Sequence, residues 1–397
     1  MSRTPYIELE PFLADAQRIA GADDWGDDDF REPFEVFVNA LNREAELTPQ
    51  GVARTRSHLR KLLVGRLKLT RDRKTYEGLA QEEIRKPLIL TGHGRSGTSY
   101  LNALLASDPR NHAPLHWQIW TLSPPPGLAS TDTRPLIEAG EHFIQFEGWQ
   151  DPDVRDKHDY SNETAAEDTL IMEYSFINGS FPFFWNVPSY GAWLASADFA
   201  PAYRFERKVL QALQYGQKRD QWVLKSPLHL SRLDELFHEF PDARIVVNHR
   251  DPVKSMASIL GLLHGHRKQF GNPPPVVDVN YVRGAMEAAA ASAESLIRRR
   301  QDPAEDSKYV DVLYLDLENA PLGQVAKVYA HHGIEFTDDA RERMAAYVAE
   351  NRKGKFGAHR YDIRDTGLSI EEVRERFRFY TDYFDIPYET GSPVGSN

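Results

Sequence analysis

The sequence predicts an α/β protein: a P-loop-like parallel sheet flanked by helices, with a helical N-terminal extension and helical insertions. Three observations predict it. A short apolar run, Leu88-Ile89-Leu90, passes through a glycine-rich turn, Gly92 to Gly97, into a helix of about Ser99 to Ser107. Two further runs, Trp222-Val223-Leu224 and Arg244-Ile245-Val246-Val247, flank a helical stretch near 229–239. A fourth, Tyr309 to Leu315, follows helical stretches at 252–264 and 281–300. Strands alternating with helices argue for a parallel sheet covered by helices.

The remaining elements fit around that frame. Residues 8–80 read as mostly helical, with Thr48 a capping candidate ahead of a periodic stretch. Within it, Arg54 to Lys74 is strongly basic and carries Leu59, Leu62, Leu63, Leu67 and Leu69, the pattern of an amphipathic helix with a solvated basic face, contact with an anionic substrate or a membrane surface being the alternative. Residues 163–180 read as a helix, and 201–219, 322–332 and 338–350 as others. The aromatic cluster Phe176, Phe181, Phe183, Phe184, Trp185 and Tyr190 reads mainly as core packing; any member facing a crevice would favour an apolar or aromatic ligand. The expected division is a helical extension over 1–80, an α/β domain over 81–388 and a disordered tail over 389–397.

Bulk properties narrow the function. The 397 residues contain no cysteine, which excludes disulfides, thiolate-bound zinc and cysteine nucleophiles. A net charge of −11 argues against a nucleic-acid partner. No apolar stretch approaches the ~20 residues of a membrane span, and the start, MSRTPYIELE, lacks the apolar segment of a secretory signal. The expected compartment is the cytoplasm.

A glycine-rich turn between strand and helix presents backbone N–H groups to an anion at the positive end of the helix dipole. Three ligands could use the string GHGRSGTS. Gly92-x-Gly94-x-x-Gly97 matches a dinucleotide fingerprint, but the stretch about 20 residues on, Pro114 to Trp120, lacks the ribose-binding carboxylate. Gly92-x-x-x-x-Gly97 is followed by Thr98, where a triphosphate-binding loop has lysine. The third ligand is a nucleotide phosphosulfate, with Arg95 facing the transferred group. Sulfuryl transfer needs no metal in principle, because amides, Arg and Lys can hold the developing charge.

Lys225 and Arg250 stand at the ends of the second and third predicted strands, and Ser258 on the helix after them. Parallel strands align their C-termini along one edge, where ligands of open α/β folds bind. These residues therefore converge with the loop around Arg95.

Here the sequence resembles the PAPS (3′-phosphoadenosine 5′-phosphosulfate)-dependent sulfotransferase superfamily, in particular its bacterial branch of small-molecule enzymes. That family's donor loop R-S-G-T-[ST] appears as Arg95-Ser96-Gly97-Thr98-Ser99, and its Arg with a Ser eight residues later as Arg250 and Ser258. The branch strings Lys-Ser-Pro-x-His, Arg-Lys-Gly and Asn-Val-Pro-Ser-Tyr appear as Lys225 to His229, Arg352-Lys353-Gly354 and Asn186 to Tyr190. The resemblance spans roughly 85–385.

It implies that Gly94, Arg95, Ser96, Gly97, Thr98 and Ser99 cradle the 5′-phosphosulfate. Arg250 and Ser258 would hold the 3′-phosphate, closed over by Arg352, Lys353 and Gly354, with Lys225 at the bridging oxygen. PAPS is the implied co-substrate and PAP the product, with no metal required. The partner is a small hydroxyl acceptor, apolar or aromatic, and a homodimer is allowed for. Many branch members carry Trp-Glu after the loop helix; here it is Trp117-Gln118, and an amide is no base. His116 is the nearest titratable substitute, His229 the next, with Glu163 and Glu167 further candidates. A PAP- or PAPS-binding protein without catalysis and an atypical P-loop kinase are the alternative readings.

Overall fold

A computed structural model of the chain describes residues 4–144, 162–217, 221–271, 279–351 and 363–389. At its centre is a five-stranded sheet, parallel throughout, in the order β2-β3-β1-β4-β5. The strands are β1 (Leu88–Gly92), β2 (Asn111–His112), β3 (Gln221–Lys225), β4 (Arg244–His249) and β5 (Tyr309–Leu313). The central β1 pairs Leu88 with Val223 on one side and with Arg244 on the other. It is buried along its whole length, and its unbroken apolar run suits a parallel strand covered on both faces. Because the strands run one way, Gly92, Lys225, His249 and Leu313 all end at the same edge. The four strands expected from the sequence are present; the two-residue edge strand β2 is too short to leave a period.

Three helices precede the sheet: α1 (Leu9–Ala20), α2 (Arg31–Glu44) and α3 (Pro49–Thr75). Thr48 caps α3, its hydroxyl accepting from Gly51 N at 3.0 Å, and Pro49 occupies the first turn, where its missing N–H costs nothing. Residues of all three helices share one continuous core with Ile89, Leu224, Ile245 and Val247 of the sheet.

The basic run of α3 departs from the solvated face expected of it. Arg66 is 1% exposed. It donates to Asp29 and to the Asp27 carbonyl, both at 2.7 Å, and lies over the Phe30 ring. Arg54, Arg56 and Arg73 donate to the carbonyls of Gln269, Tyr6 and Lys208. The guanidinium fork can satisfy carbonyls while its plane stacks on an aromatic ring, so these arginines stitch α3 to its neighbours.

Residues 163–180 depart from a continuous helix. Ala165 bridges to Leu115, Ala166 N donates to Pro114 O at 2.8 Å, and His116 N donates to Thr164 O. Only Thr169–Met172 is α-helical; a single 3-10 turn follows, and Phe176 at φ 58° stops it. Pairing with the 114–116 segment takes the backbone donors that helix formation would have used. The aromatic cluster is core: Phe176, Phe181, Phe184, Trp185 and Tyr190 are buried, and only Phe183 is half-exposed. The Phe181 ring sits 4.4 Å from that of Phe37 on α2.

Candidate functional site

The turn after β1 is shaped by its glycines. Gly92 has φ 140°, and a Cβ there would lie 2.2 Å from the Asn248 carbonyl oxygen of β4. Gly97, at φ 87°, stands immediately before α4 (Thr98–Ala106). Arg95 adopts φ 68°, uncommon for a residue with a side chain. The loop thus curls over the start of α4, where unsatisfied N–H groups and the helix dipole favour an anion. Ser96 Oγ is buried there and lacks a hydrogen-bonding partner among the described residues. A buried donor left unmatched costs about 1–3 kcal/mol, so this cradle suits a phosphate- or sulfate-like oxygen.

Five of the expected residues meet at this edge. Arg95 Nε donates to Ser258 Oγ at 3.1 Å, and the Arg95 carbonyl accepts from Arg250 Nη1 at 2.8 Å. Ser258 lies on α6 (Pro252–Lys268), behind the loop. Arg95 is therefore tied to the Arg250–Ser258 pair. Lys225, 3% exposed at the end of β3, donates to Ser99 Oγ at 3.1 Å. Arg352, Lys353 and Gly354 lie outside the described residues.

Lys225 also donates to the carboxylate of Glu167, whose side chain is 39% exposed. Glu167 directly follows residues 162–166, which pair with residues 114–117. The sequence marked Glu167 only as one candidate on a helix; the strand-like pairing that aims it has no local signature.

The histidine candidates divide. His116 opens a short helix, His116–Trp120, and is buried near Lys225. Burial and the Lys225 charge push its imidazole down to about 4. It is therefore neutral at pH 7 and a weak proton acceptor. The assignment of His229 as a base meets a geometric obstacle. His229 is wholly buried, with Nε2 2.9 Å from Asp168 Oδ2 and Nδ1 2.9 Å from the Tyr203 hydroxyl. Both ring nitrogens are spent inside the protein. Glu206, on α5 (Ala200–Gln214), completes this cluster, its carboxyl within 4.8 Å of Asp168 and His229. Burial, then the charge of Asp168, push the Glu206 carboxyl well above the usual carboxylate range. The cluster anchors the residue immediately after Glu167.

Gln118, standing where a carboxylate is usual, has a local task. Its Oε1 accepts from Leu115 N at 3.0 Å, closing the start of the short helix. Glu163 has no described contact with Lys225.

Sequence reading missed one partner altogether. Glu389, assigned to a disordered tail, forms a two-pronged pair with Arg250, at 2.7 Å to Nε and 2.9 Å to Nη2. Its backbone N–H donates to Asp251 Oδ2 at 2.9 Å. No local signal marks it, since the pair spans 139 positions.

Comparison with known proteins bears on the family and the fold. A sequence profile described as the sulfotransferase family matches residues 87–338. Among curated proteins, the chain is 23% identical over 315 residues to the omega-hydroxy-beta-dihydromenaquinone-9 sulfotransferase Stf3 of Mycobacterium bovis, covering 74% of this chain and 75% of that one. The same enzyme of Mycobacterium tuberculosis matches equally. Among solved structures, sulfotransferase STF1 from Mycobacterium tuberculosis is 29% identical, with a TM-score of 0.79 over 94% of this chain and 99% of that one. Sulfotransferase STF9 from Mycobacterium avium has a TM-score of 0.85 at 24% identity, covering 97% and 99%, and so speaks to the fold. With a profile matching well over half its length, the chain belongs to the sulfotransferase family.

Proposed function

We propose that the enzyme moves a sulfuryl group from PAPS to the hydroxyl of a small acceptor with an apolar or aromatic body. The observation that carries this reading is the meeting of Arg95, Lys225, Arg250 and Ser258 around one glycine loop at a helix N-terminus. Gly94 to Ser99 cradle the 5′-phosphosulfate, Arg250 and Ser258 take the 3′-phosphate, and Lys225 stands at the bridging oxygen. Arg352, Lys353 and Gly354 belong to the donor site in this reading.

Glu167 is the general base. It is a carboxylate at hydrogen-bond range of Lys225 and open to solvent, whereas His116 is buried with its basicity suppressed. The acceptor oxygen forms the new S–O bond, its proton passes to Glu167, and the bridging S–O bond breaks with its electron pair on the 5′-phosphate. Lys225 stabilises that charge, an electrostatic contribution of the kind that lowers barriers most. Carboxylate-assisted deprotonation of this type contributes about 10²–10⁴-fold. An apolar acceptor is supported by the named substrate of the curated relatives, a menaquinone derivative carrying a terminal hydroxyl. The buried aromatic cluster lends this no support, because only Phe183 is open.

Thermal unfolding with PAP, ATP and NAD tests the donor class. PAP alone should raise the midpoint, by ligand linkage; a rise with ATP or NAD instead would withdraw the reading. Turnover of PAPS against a panel of phenols and long-chain alcohols then tests catalysis. Tight PAP binding with no transfer to any of them would favour a silent nucleotide-binding protein.

A further inference from the structure

Each guanidinium nitrogen of Arg250 has a partner. Nη1 donates to the Arg95 carbonyl, and Nε and Nη2 both donate to Glu389. Its guanidinium plane lies 3.7 Å from the Tyr314 ring centroid, which closes off one face. One bidentate edge of the fork, Nε with Nη2, of the kind that recognises a tetrahedral oxyanion, is therefore held by a carboxylate from the C-terminal end of the described chain. Arg250 and Glu389 are 20% and 15% exposed, enough shielding for the pair to be more than a surface contact.

The way Glu389 is delivered matters. Helix α7 (Arg378–Tyr383) is pinned to the end of β4, because His249 Nδ1 lies 2.8 Å from the Tyr380 hydroxyl. Ile386 N then donates to Thr381 O at 2.9 Å and turns the chain back towards α6. Asp251, the residue that caps α6 by accepting from Val253 N, also accepts from Glu389 N. A helix cap of the donor-site helix thus holds the strap carrying Glu389.

We propose that Glu389 is a displaceable latch on the 3′-phosphate site, so that the C-terminal strap sets the affinity for donor and product. The proposal rests on the reading of Arg250 as the 3′-phosphate ligand. A phosphate monoester carries about −1.5 to −2 charges near neutral pH, against −1 for a carboxylate. It therefore outcompetes Glu389 for the same fork. A nucleotide with a plain ribose 3′-hydroxyl has nothing to exchange and leaves the pair intact. Because the binding-competent state is only a fraction of the whole, the latch weakens apparent affinity by that fraction. On product departure the carboxylate returns to Arg250, which favours release of PAP.

Calorimetric titration of PAP and of adenosine 5′-monophosphate into the wild type, Glu389→Gln and Arg250→Met separates the possibilities. Glu389→Gln should tighten PAP by about tenfold, equivalent to about 1.4 kcal/mol, and leave the monophosphate unchanged. Arg250→Met should weaken PAP and leave the monophosphate unchanged. Unchanged or weaker PAP binding in Glu389→Gln, with Arg250→Met still weakened, overturns the latch and leaves the donor reading standing. Unaltered PAP binding in Arg250→Met removes the 3′-phosphate reading itself. Hydrogen exchange of wild-type residues 384–389 supplies a second readout. It should speed up when PAP binds, and slower or equal exchange also overturns the latch.

Discussion

The two ends of the site solve one problem differently. At each, a cation that the proposed function assigns to the donor is held by a carboxylate: Lys225 by Glu167 and Arg250 by Glu389. Glu167 is followed directly by Asp168, which is fully buried and bonded to His229 in the core. Glu389 is held through one backbone hydrogen bond to Asp251, at the end of a strap. A carboxylate welded to the core can be aimed reproducibly at a reacting hydroxyl, as catalysis requires. One carried on a strap can leave when a stronger anion arrives. In the proposed mechanism, the same ion-pair chemistry thus yields a fixed base at one end and an exchangeable occupant at the other.

The largest expected effect breaks the fixed end. Glu167→Gln should lower kcat by about 10²–10⁴-fold while PAP affinity, read by calorimetry, stays close to wild type. An equal loss in PAP affinity would mean that Glu167 serves the donor site. His229→Leu leaves Asp168 buried without its ring partner, and should cost about 3–5 kcal/mol of stability in urea unfolding. Its kcat should also fall, since the anchor of Glu167 is gone. An unchanged stability would show that Asp168 finds another partner.

At the exchangeable end, Arg250→Met should reduce PAP affinity by about 2–5 kcal/mol, the scale for truncating one member of a shielded charge pair. A kcat near wild type at saturating PAPS would separate this binding role from the chemistry of Lys225 and Glu167.

The smallest effect concerns pH. The folded-state pKa of His116, about 4, lies below its ordinary value of 6.5. Below 6.5 the unfolded chain therefore takes up a proton that the folded one refuses. Its contribution to stability is complete above pH 6.5 and is lost progressively as pH falls towards 4, at up to about 1.4 kcal/mol per pH unit. His116→Gln should flatten this part of the stability profile in denaturant titrations run from pH 7 to 4. An unchanged slope would assign the acid sensitivity to other groups.

Adjacent residues alone determined the central strands, the glycine loop, the Thr48 cap and the placing of Lys225 and Arg250 at strand ends. These depend on apolar period, turn chemistry and the alignment of parallel strands, all readable over a few positions. Tertiary structure decided which groups those cations meet. Lys225 and Glu167 are 58 positions apart, and Arg250 and Glu389 are 139. It also decided that residues 162–166 pair with residues 114–117, and that His229 spends both nitrogens in the core. It turned Arg66 inward against Phe30 and Asp29 as well. Local conformation follows from the chemistry of neighbouring residues. The partner of a buried charge follows from the packing that removes water from it, and that packing brings together residues far apart in the chain.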